Sequence, residues 1–229
     1  LKPLSKIWEL ATYYRLKYGP WEEMPIPVIC VGNLTVGGSG KTPVTMALQD
    51  LLNDMGIKVC VVSRGYGGKI RGPHYVTQSD TFSRVGDEPL ILSKKSSVIV
   101  SKNRKKGIIQ AYKDGFDIVL LDDGYQNSKI KKDLSLVVVD SKILFGNKHV
   151  FPLGPLRESI QKGLSRADAI VFIINKNCDI SVINDLNKSY NIKIIKGFIN
   201  KNHYPKTSRN LKVFAFSGIA YSEKFFNTV

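Results

Sequence analysis

The sequence is poor in cysteine, histidine and negative charge, and it has no long apolar run. Cys30, Cys60 and Cys178 show neither metal-site spacing nor the even count of a disulfide framework. Cys30 and Cys60 sit inside apolar runs, which predicts buried thiols in a reducing cytosol. His74, His149 and His203 are scattered and form no ligand pattern. No run of about 18 uncharged apolar residues occurs, which excludes an obvious membrane-spanning helix. The opening `LKPLSKIWELATYYRLKYGPW` lacks an apolar h-region and a small-residue cleavage site, so it does not read as a secretory signal.

Acidic residues number 19 against 34 Lys+Arg, a net charge of +15. That imbalance favours an anionic partner: nucleic acid, a phosphorylated substrate or an anionic membrane surface. A lysine-rich solvated surface is the plainer alternative. No basic run is long and no RNA- or DNA-binding motif occurs, which argues against nucleic acid.

The 229 residues, 43% of them hydrophobic, suffice for one large α/β domain or two small ones. Short apolar runs alternate with helical patterns. Strands are expected at 26–33, 58–65, 97–102, 116–124, 134–141, 168–175, 192–199 and 212–218. Helices are expected at 41–56, 103–115 and 179–190, with shorter ones at 89–96 and from 221 onward. In the 41–56 helix the apolar face is read as Ala47, Leu48, Leu51 and Leu52, stopped by Gly56. Strands apolar along their whole length and separated by helices imply a mostly parallel sheet covered on both faces. Residues 67–89 are the longest irregular stretch, a loop or small hairpin over the site. The expected organisation is an N-terminal amphipathic helix (1–22), an α/β core (23–209), and the start of a subdomain that stops short (210–229).

The segment `VGNLTVGGSGKTP` joins a strand to a helix and ends in Gly-Lys-Thr. Such a junction is an anion site, because backbone N–H groups and the helix dipole both face the ligand. Residues Thr35, Val36, Gly37, Gly38, Ser39, Gly40, Lys41 and Thr42 are its expected phosphate cradle. Lys41 would reach the β/γ-phosphates and the Thr42 hydroxyl would ligate Mg²⁺. Thr35 stands where the usual pattern has glycine. Val36 replaces the signature lysine of partition-type ATPases, which argues against that class. The apolar run `IVLLDDG` would deliver Asp122 and Asp123 beside the metal. Both aspartates also suit a turn before Gly124.

Other polar clusters are weaker on their own. Arg64 in `SRGYGG` is placed to hold a phosphate, or to serve a plain turn. In `RVGDEP`, Asp87 and Glu88 precede a helix, either as an acidic N-terminal turn or with a carboxylate that accepts a hydroxyl proton. In `FPLGPLRESI`, Arg157 and Glu158 are expected in the first turn of a helix, one for phosphate and one for the metal shell. Residues Leu4, Ile7, Trp8, Leu10, Ala11 and Tyr14 interleave with Lys2, Lys6, Arg15 and Lys17. That pattern fits a basic amphipathic helix on an anionic bilayer, or one packed on its own domain.

Together `PVICVGNLTVGGSGKTP`, `SRGYGG`, `VGDEPLIL`, `NRKKG`, `LLDDGYQN`, `FGNKHVFPLGPLRE` and `FSGIA` resemble one family: the tetraacyldisaccharide 4′-kinases, the lipid A 4′-kinases of Gram-negative bacteria. The family also carries threonine or serine at the position of Thr35. The resemblance implies a P-loop kinase at the cytoplasmic face of the inner membrane. It would use ATP and Mg²⁺ to phosphorylate the 4′-hydroxyl of a tetraacyl glucosamine disaccharide 1-phosphate, giving lipid IVA. It implies Asp87 as the catalytic aspartate, with Lys41 and Thr42 on phosphate and metal. Asp122, Asp123 and Glu158 would lie near Mg²⁺, and Arg104 and Arg157 at the substrate and phosphate end, where Arg64, read from its own motif, is also expected to bind. The family continues past `FSGIA` into a histidine-containing segment whose histidine is thought to pair with the aspartate matched by Asp87. This chain stops at Val229, so the resemblance implies a chain cut short. Two other classes stay open from the residues alone. A regulatory GTPase or metal-insertion NTPase would need N-K-x-D, and `NKNCD` places its aspartate one residue late. The third is a basic, non-catalytic anion binder.

Overall fold

The computed structural model describes residues 1–175, 178–179 and 181–199. The strand expected at 212–218, the helix from 221 and the boundary at 210 lie outside the described residues. The elements in chain order are α1 (Lys2–Tyr18), β1 (Val28–Gly32), α2 (Lys41–Asp54), β2 (Val59–Ser63), β3 (His74–Tyr75) and α3 (Phe82–Val85). They continue with α4 (Asp87–Leu92), β4 (Ser97–Val100), α5 (Arg104–Lys113), β5 (Ile118–Asp122) and β6 (Leu134–Asp140). The last are α6 (Ile160–Leu164), β7 (Ala169–Ile174), α7 (Ser181–Tyr190) and β8 (Lys193–Phe198).

The strands form one sheet in the order β3-β4-β2-β5-β1-β6-β7-β8. Every pairing is parallel except β3 with β4. The central strands are built of Val, Ile, Leu and Cys and are buried almost throughout, as a sheet covered on both faces requires. Alternate side chains feed opposite layers. Cys30, Cys60, Val62, Val119, Leu121 and Phe172 pack into one core. Val31, Leu136 and Val138 pack on the other face, as do Val61, Val98 and Leu120 further along it. The thiols of Cys30 and Cys60 are buried as expected, and loss of solvent pushes each up to about 12.

Three sequence expectations change in detail. The irregular stretch 67–89 does not stay loop: His74–Tyr75 adds an antiparallel edge strand, and Phe82–Val85 forms a helical turn. In α2 the buried stripe is Lys41, Thr45, Gln49 and Leu52, while Leu51 is exposed. The phosphate loop fixes how the helix enters, so the face that begins at Lys41 must turn to the sheet. The helix expected from Pro89 begins at Asp87, so Asp87 and Glu88 are its first turn, with Gly86 as N-cap.

On α1 the buried residues are Ser5 and Thr12. Ser5 Oγ donates to Val150 O at 2.6 Å, Trp8 Nε1 to Arg157 O at 3.1 Å, and Lys162 pairs with Glu9 at 3.4 Å. Leu4, Ile7, Leu10 and Tyr14 instead face outward and are each more than half exposed. The helix is thus pinned to the 150–162 segment by polar contacts, and its apolar side is left bare.

Candidate active site

The site lies where the carboxyl ends of β1 and β5 meet the amino end of α2, the position at which parallel α/β sheets bind ligands. The loop from Asn33 to Lys41 is held at its start by backbone. Thr35 forms an antiparallel bridge with Leu156, and Val36 N donates to Pro155 O at 2.7 Å. An extended residue in a bridge has no need of glycine, which accounts for Thr35 at this position. Asn33 Nδ2 also donates to Thr35 Oγ1 at 3.4 Å. Gly40 has the opposite requirement. Its φ is +84°, and an added Cβ would lie 2.4 Å from Ile173 Cδ1. Gly37 and Gly38 face open space, so an anion can approach their backbone.

Lys41 is buried at the first position of α2, with Nζ 3.7 Å from Asp123 Oδ1. Asp123 also accepts from Arg157 Nη1 at 3.1 Å, and its backbone carbonyl accepts from Arg104 Nη2 at 2.9 Å. Its φ of +47° is a left-handed conformation that aspartate tolerates better than most residues. Burial opposes its charge, yet Lys41, Arg157 and Arg104 outweigh that and hold its carboxyl below the ordinary range.

Asp122 has a different environment. It is almost wholly buried and accepts from Ser63 Oγ at 3.1 Å through Oδ2. Its Oδ1 has no hydrogen-bond partner among the described residues. Desolvation, reinforced by the charges of Glu88 and Asp123, raises its carboxyl to about 7. A buried carboxylate oxygen without a donor suits a divalent cation. The half-buried Thr42 hydroxyl opens the same helix as Lys41. Ser39 Oγ, also buried without a partner among the described residues, suits a phosphate oxygen. No group of three His, Cys, Asp or Glu side chains with metal-binding geometry occurs among the described residues. Magnesium held through phosphates needs only one or two carboxylates.

The remaining expected residues divide. Arg64, Arg104 and Arg157 line one cleft with Asp122 and Asp123. Glu88, read in the sequence beside Asp87 but given no role at the site, lines it too. Burial raises the Glu88 carboxyl, partly offset by Lys41. Asp87 stands exposed one residue earlier on α4. Arg157 and Glu158 precede α6, which starts at Ile160, so they are loop residues rather than a first helical turn. Glu158, expected in the metal shell, is held elsewhere. Its oxygens accept from Arg166 Nη1 at 2.7 Å, Arg166 Nη2 at 2.9 Å and Gln126 Nε2 at 3.1 Å. Gln126 Oε1 in turn accepts from Arg157 at 3.2 Å. The cleft encloses about 500 Å³ and reaches Arg15 at the last turn of α1.

Comparison with known proteins gives one consistent result. The sequence profile of the tetraacyldisaccharide-1-P 4′-kinase family, LpxK, matches residues 1–229. A tetraacyldisaccharide 4′-kinase of Rhodospirillum rubrum is 40% identical over 232 residues, covering 100% of this chain and 70% of the relative. One from Paramagnetospirillum magneticum is 41% identical over 227 residues, covering 99% and 69%. The crystal structure of LpxK from Aquifex aeolicus in complex with ATP superposes with a TM-score of 0.67 at 27% identity. That superposition covers 96% of this chain and 85% of that one.

Proposed function

Because the chain belongs to the tetraacyldisaccharide-1-P 4′-kinase family, we propose that it phosphorylates the 4′-hydroxyl of a tetraacyl glucosamine disaccharide 1-phosphate with ATP, forming lipid IVA. The observation that carries this reading is the pairing of the phosphate-loop Lys41 with Asp123, which together with Asp122 lines a basic cleft large enough for a sugar phosphate. A guanine-directed GTPase has no comparable support in the relatives.

The reaction is an in-line phosphoryl transfer. Backbone N–H groups of the 35–42 loop and the Lys41 ammonium hold the β- and γ-phosphates. Thr42 and Asp122 would hold a Mg²⁺, which when bound offsets phosphate charge. Asp87 takes the proton of the 4′-hydroxyl as its oxygen bonds to the γ-phosphorus and the bond to ADP breaks. Asp123 keeps Lys41 and Arg157 aimed at the transferring group, and Glu88 adds negative charge that favours metal at Asp122. Arg64 and Arg104 steady the substrate end.

We place the protein peripherally on an anionic bilayer, at the cytoplasmic face of the inner membrane. No helix of the described residues is long and apolar enough to cross a membrane. The bare apolar side of α1, flanked by lysines, supports attachment from one face.

The test is transfer of labelled γ-phosphate from ATP to the lipid disaccharide, with Lys41→Ala beside the wild type. Transfer should fall at least about 10²-fold in the variant. A wild type that binds ATP yet labels no disaccharide, or one that prefers GTP, would overturn the reading.

A further inference from the structure

The turn after β2 is held from two sides. At its start Gly65 N donates to Ser63 Oγ at 3.4 Å, and that hydroxyl donates to Asp122 Oδ2 at 3.1 Å. On its far side Lys102 Nζ donates to Gly65 O at 2.9 Å and to Gly68 O at 3.1 Å. Gly65 O also accepts from Gly68 N at 3.1 Å, so the ammonium grips the carbonyl that closes the turn. Both Lys102 bonds come from a charged donor, which makes them stronger than bonds between neutral groups.

The backbone of Lys102 is itself fixed. Ser101 N donates to Ser63 O at 2.9 Å, and Lys102 N donates to Arg71 O at 2.8 Å. Two residues later Arg104 opens α5 and donates to Asp123 O. Lys102 thus reaches the turn from a rigid junction at the end of β4, the strand beside β2.

The same turn seats α4. Backbone meets backbone there, with no side chain between. An added Cβ on Gly68 would lie 2.6 Å from Arg84 O, and one on Gly86 would lie 2.4 Å from Tyr66 O. The exit of the turn is tied to the same segment, since Lys69 N donates to Ser83 O at 3.1 Å and Ile70 N to Arg84 O at 2.9 Å. Gly86 is the N-cap of α4, and Asp87 and Glu88 are its first turn. Contacts this close leave no slack, so the start of α4 follows the turn wherever it goes.

We propose that Lys102 is a positioning residue for phosphoryl transfer: by clamping the turn at 65–68 it fixes where α4 begins and so where Asp87 stands. On the kinase reading above, on which this assignment rests, Asp87 takes the proton of the 4′-hydroxyl. A proton acceptor must lie within hydrogen-bond reach of that hydroxyl, and a shift of about 1 Å lowers the rate steeply. Lys102 also lines the cleft, where its charge could instead hold an anion of the substrate. The geometry favours the clamp, because carbonyls already take two of the ammonium's N–H groups.

Kinetics on Lys102→Met and Lys102→Arg, with Lys102→Met repeated in an Asp87→Asn background, separate these uses. Lys102→Met should lower kcat about 10-fold, with KM for ATP and for the lipid acceptor close to the wild type. Lys102→Arg keeps a charged donor and should recover much of the loss. In the Asp87→Asn background Lys102→Met should lower kcat no further, because the group it positions is gone. Equal losses in both backgrounds would mark a general structural effect and overturn the proposal. A raised KM for the acceptor with kcat unchanged would assign Lys102 to substrate binding and also overturn it. Hydrogen exchange read by mass spectrometry gives a measure that does not depend on activity. Peptides covering 64–70 and 84–90 should exchange faster in Lys102→Met than in the wild type, and unchanged exchange in both would overturn the clamp even if kcat falls. If the wild type transfers no phosphate, the kinase reading fails, while faster exchange of both peptides still upholds the link from Lys102 to α4.

Discussion

Lys41 Nζ lies 3.7 Å from Asp123 Oδ1, and Arg157 Nη1 lies 3.1 Å from the same oxygen. One carboxylate therefore holds the phosphate-loop lysine and an arginine from a segment more than a hundred residues away. Replacing it with a neutral amide leaves Lys41, Arg157 and Arg104 repelling one another in a partly buried space. Asp123→Asn should lower phosphate transfer about 10²-fold, with a larger effect on kcat than on the KM for ATP. Steady-state kinetics on both substrates check this. An unchanged kcat would remove Asp123 from the aiming of Lys41.

The two carboxylates that open α4 should separate by function. Asp87→Asn removes the proposed proton acceptor and should lower kcat by about 10² to 10⁴ with both KM values near those of the wild type. Glu88→Gln removes a charge that helps raise the Asp122 carboxyl, and acts through metal affinity instead. Its activity should fall less and recover as Mg²⁺ is raised. If Glu88→Gln loses activity that Mg²⁺ cannot restore and Asp87→Asn does not, the two roles are exchanged.

Much of this arrangement could be read in the sequence where local signals sufficed. The apolar runs of β1, β2, β5 and β7 announced a covered parallel sheet, and `GGSGKT` and `LLDDG` fell at strand ends as required. The failures share a cause. Arg166 carried no motif, so nothing showed that Glu158 would be paired with it. The inward stripe of α2 was misread because its members, Lys41, Thr45 and Gln49, are polar. Hydrophobic periodicity reports burial only when burial is apolar. Edge strand β3 has two residues, too few for alternation to show. On α1 the periodicity was real, but it did not reveal that the apolar side faces outward.

Asp80 organises the chain ahead of α4. Its carboxylate accepts from His74 Nε2 at 2.8 Å, Thr77 N at 2.9 Å and Thr77 Oγ1 at 3.1 Å, and forms an ion pair with Arg84 Nη1 at 2.9 Å. The Thr77 bonds and His74 together hold its carboxyl down at about 2, below the ordinary 3.8. A lowered acid contributes stability above its unfolded value and loses it as pH falls through its folded value. The wild type should therefore weaken between about pH 4 and pH 2 through this group. Asp80→Asn should flatten that acid limb, and Asp80→Ala should cost about 2 to 3 kcal/mol at neutral pH. Urea unfolding as a function of pH measures both. Since α4 carries Asp87 and Glu88, Asp80→Ala should also lower kcat.

Arg166 and Glu158 should show the strongest coupling between any pair of side chains tested. Glu158 is 3% exposed and takes both oxygens into bonds with a guanidinium that also stacks over the Tyr125 ring at 5.1 Å. Removing one partner leaves a buried charge alone. Arg166→Met should therefore destabilise the protein by about 3 to 5 kcal/mol. Adding Glu158→Gln removes the orphaned charge and keeps an acceptor for Gln126, so the double variant should recover much of that loss. Activity need not follow stability. Glu158 positions Gln126, and Gln126 positions Arg157 against Asp123. The double variant should fold well yet keep a reduced kcat, with its nucleotide KM close to normal. A double-mutant cycle in denaturant, run beside kinetics on the same proteins, separates the two effects. Additive stabilities would show that the pair is not coupled, and full activity in the double variant would remove it from the positioning of Arg157.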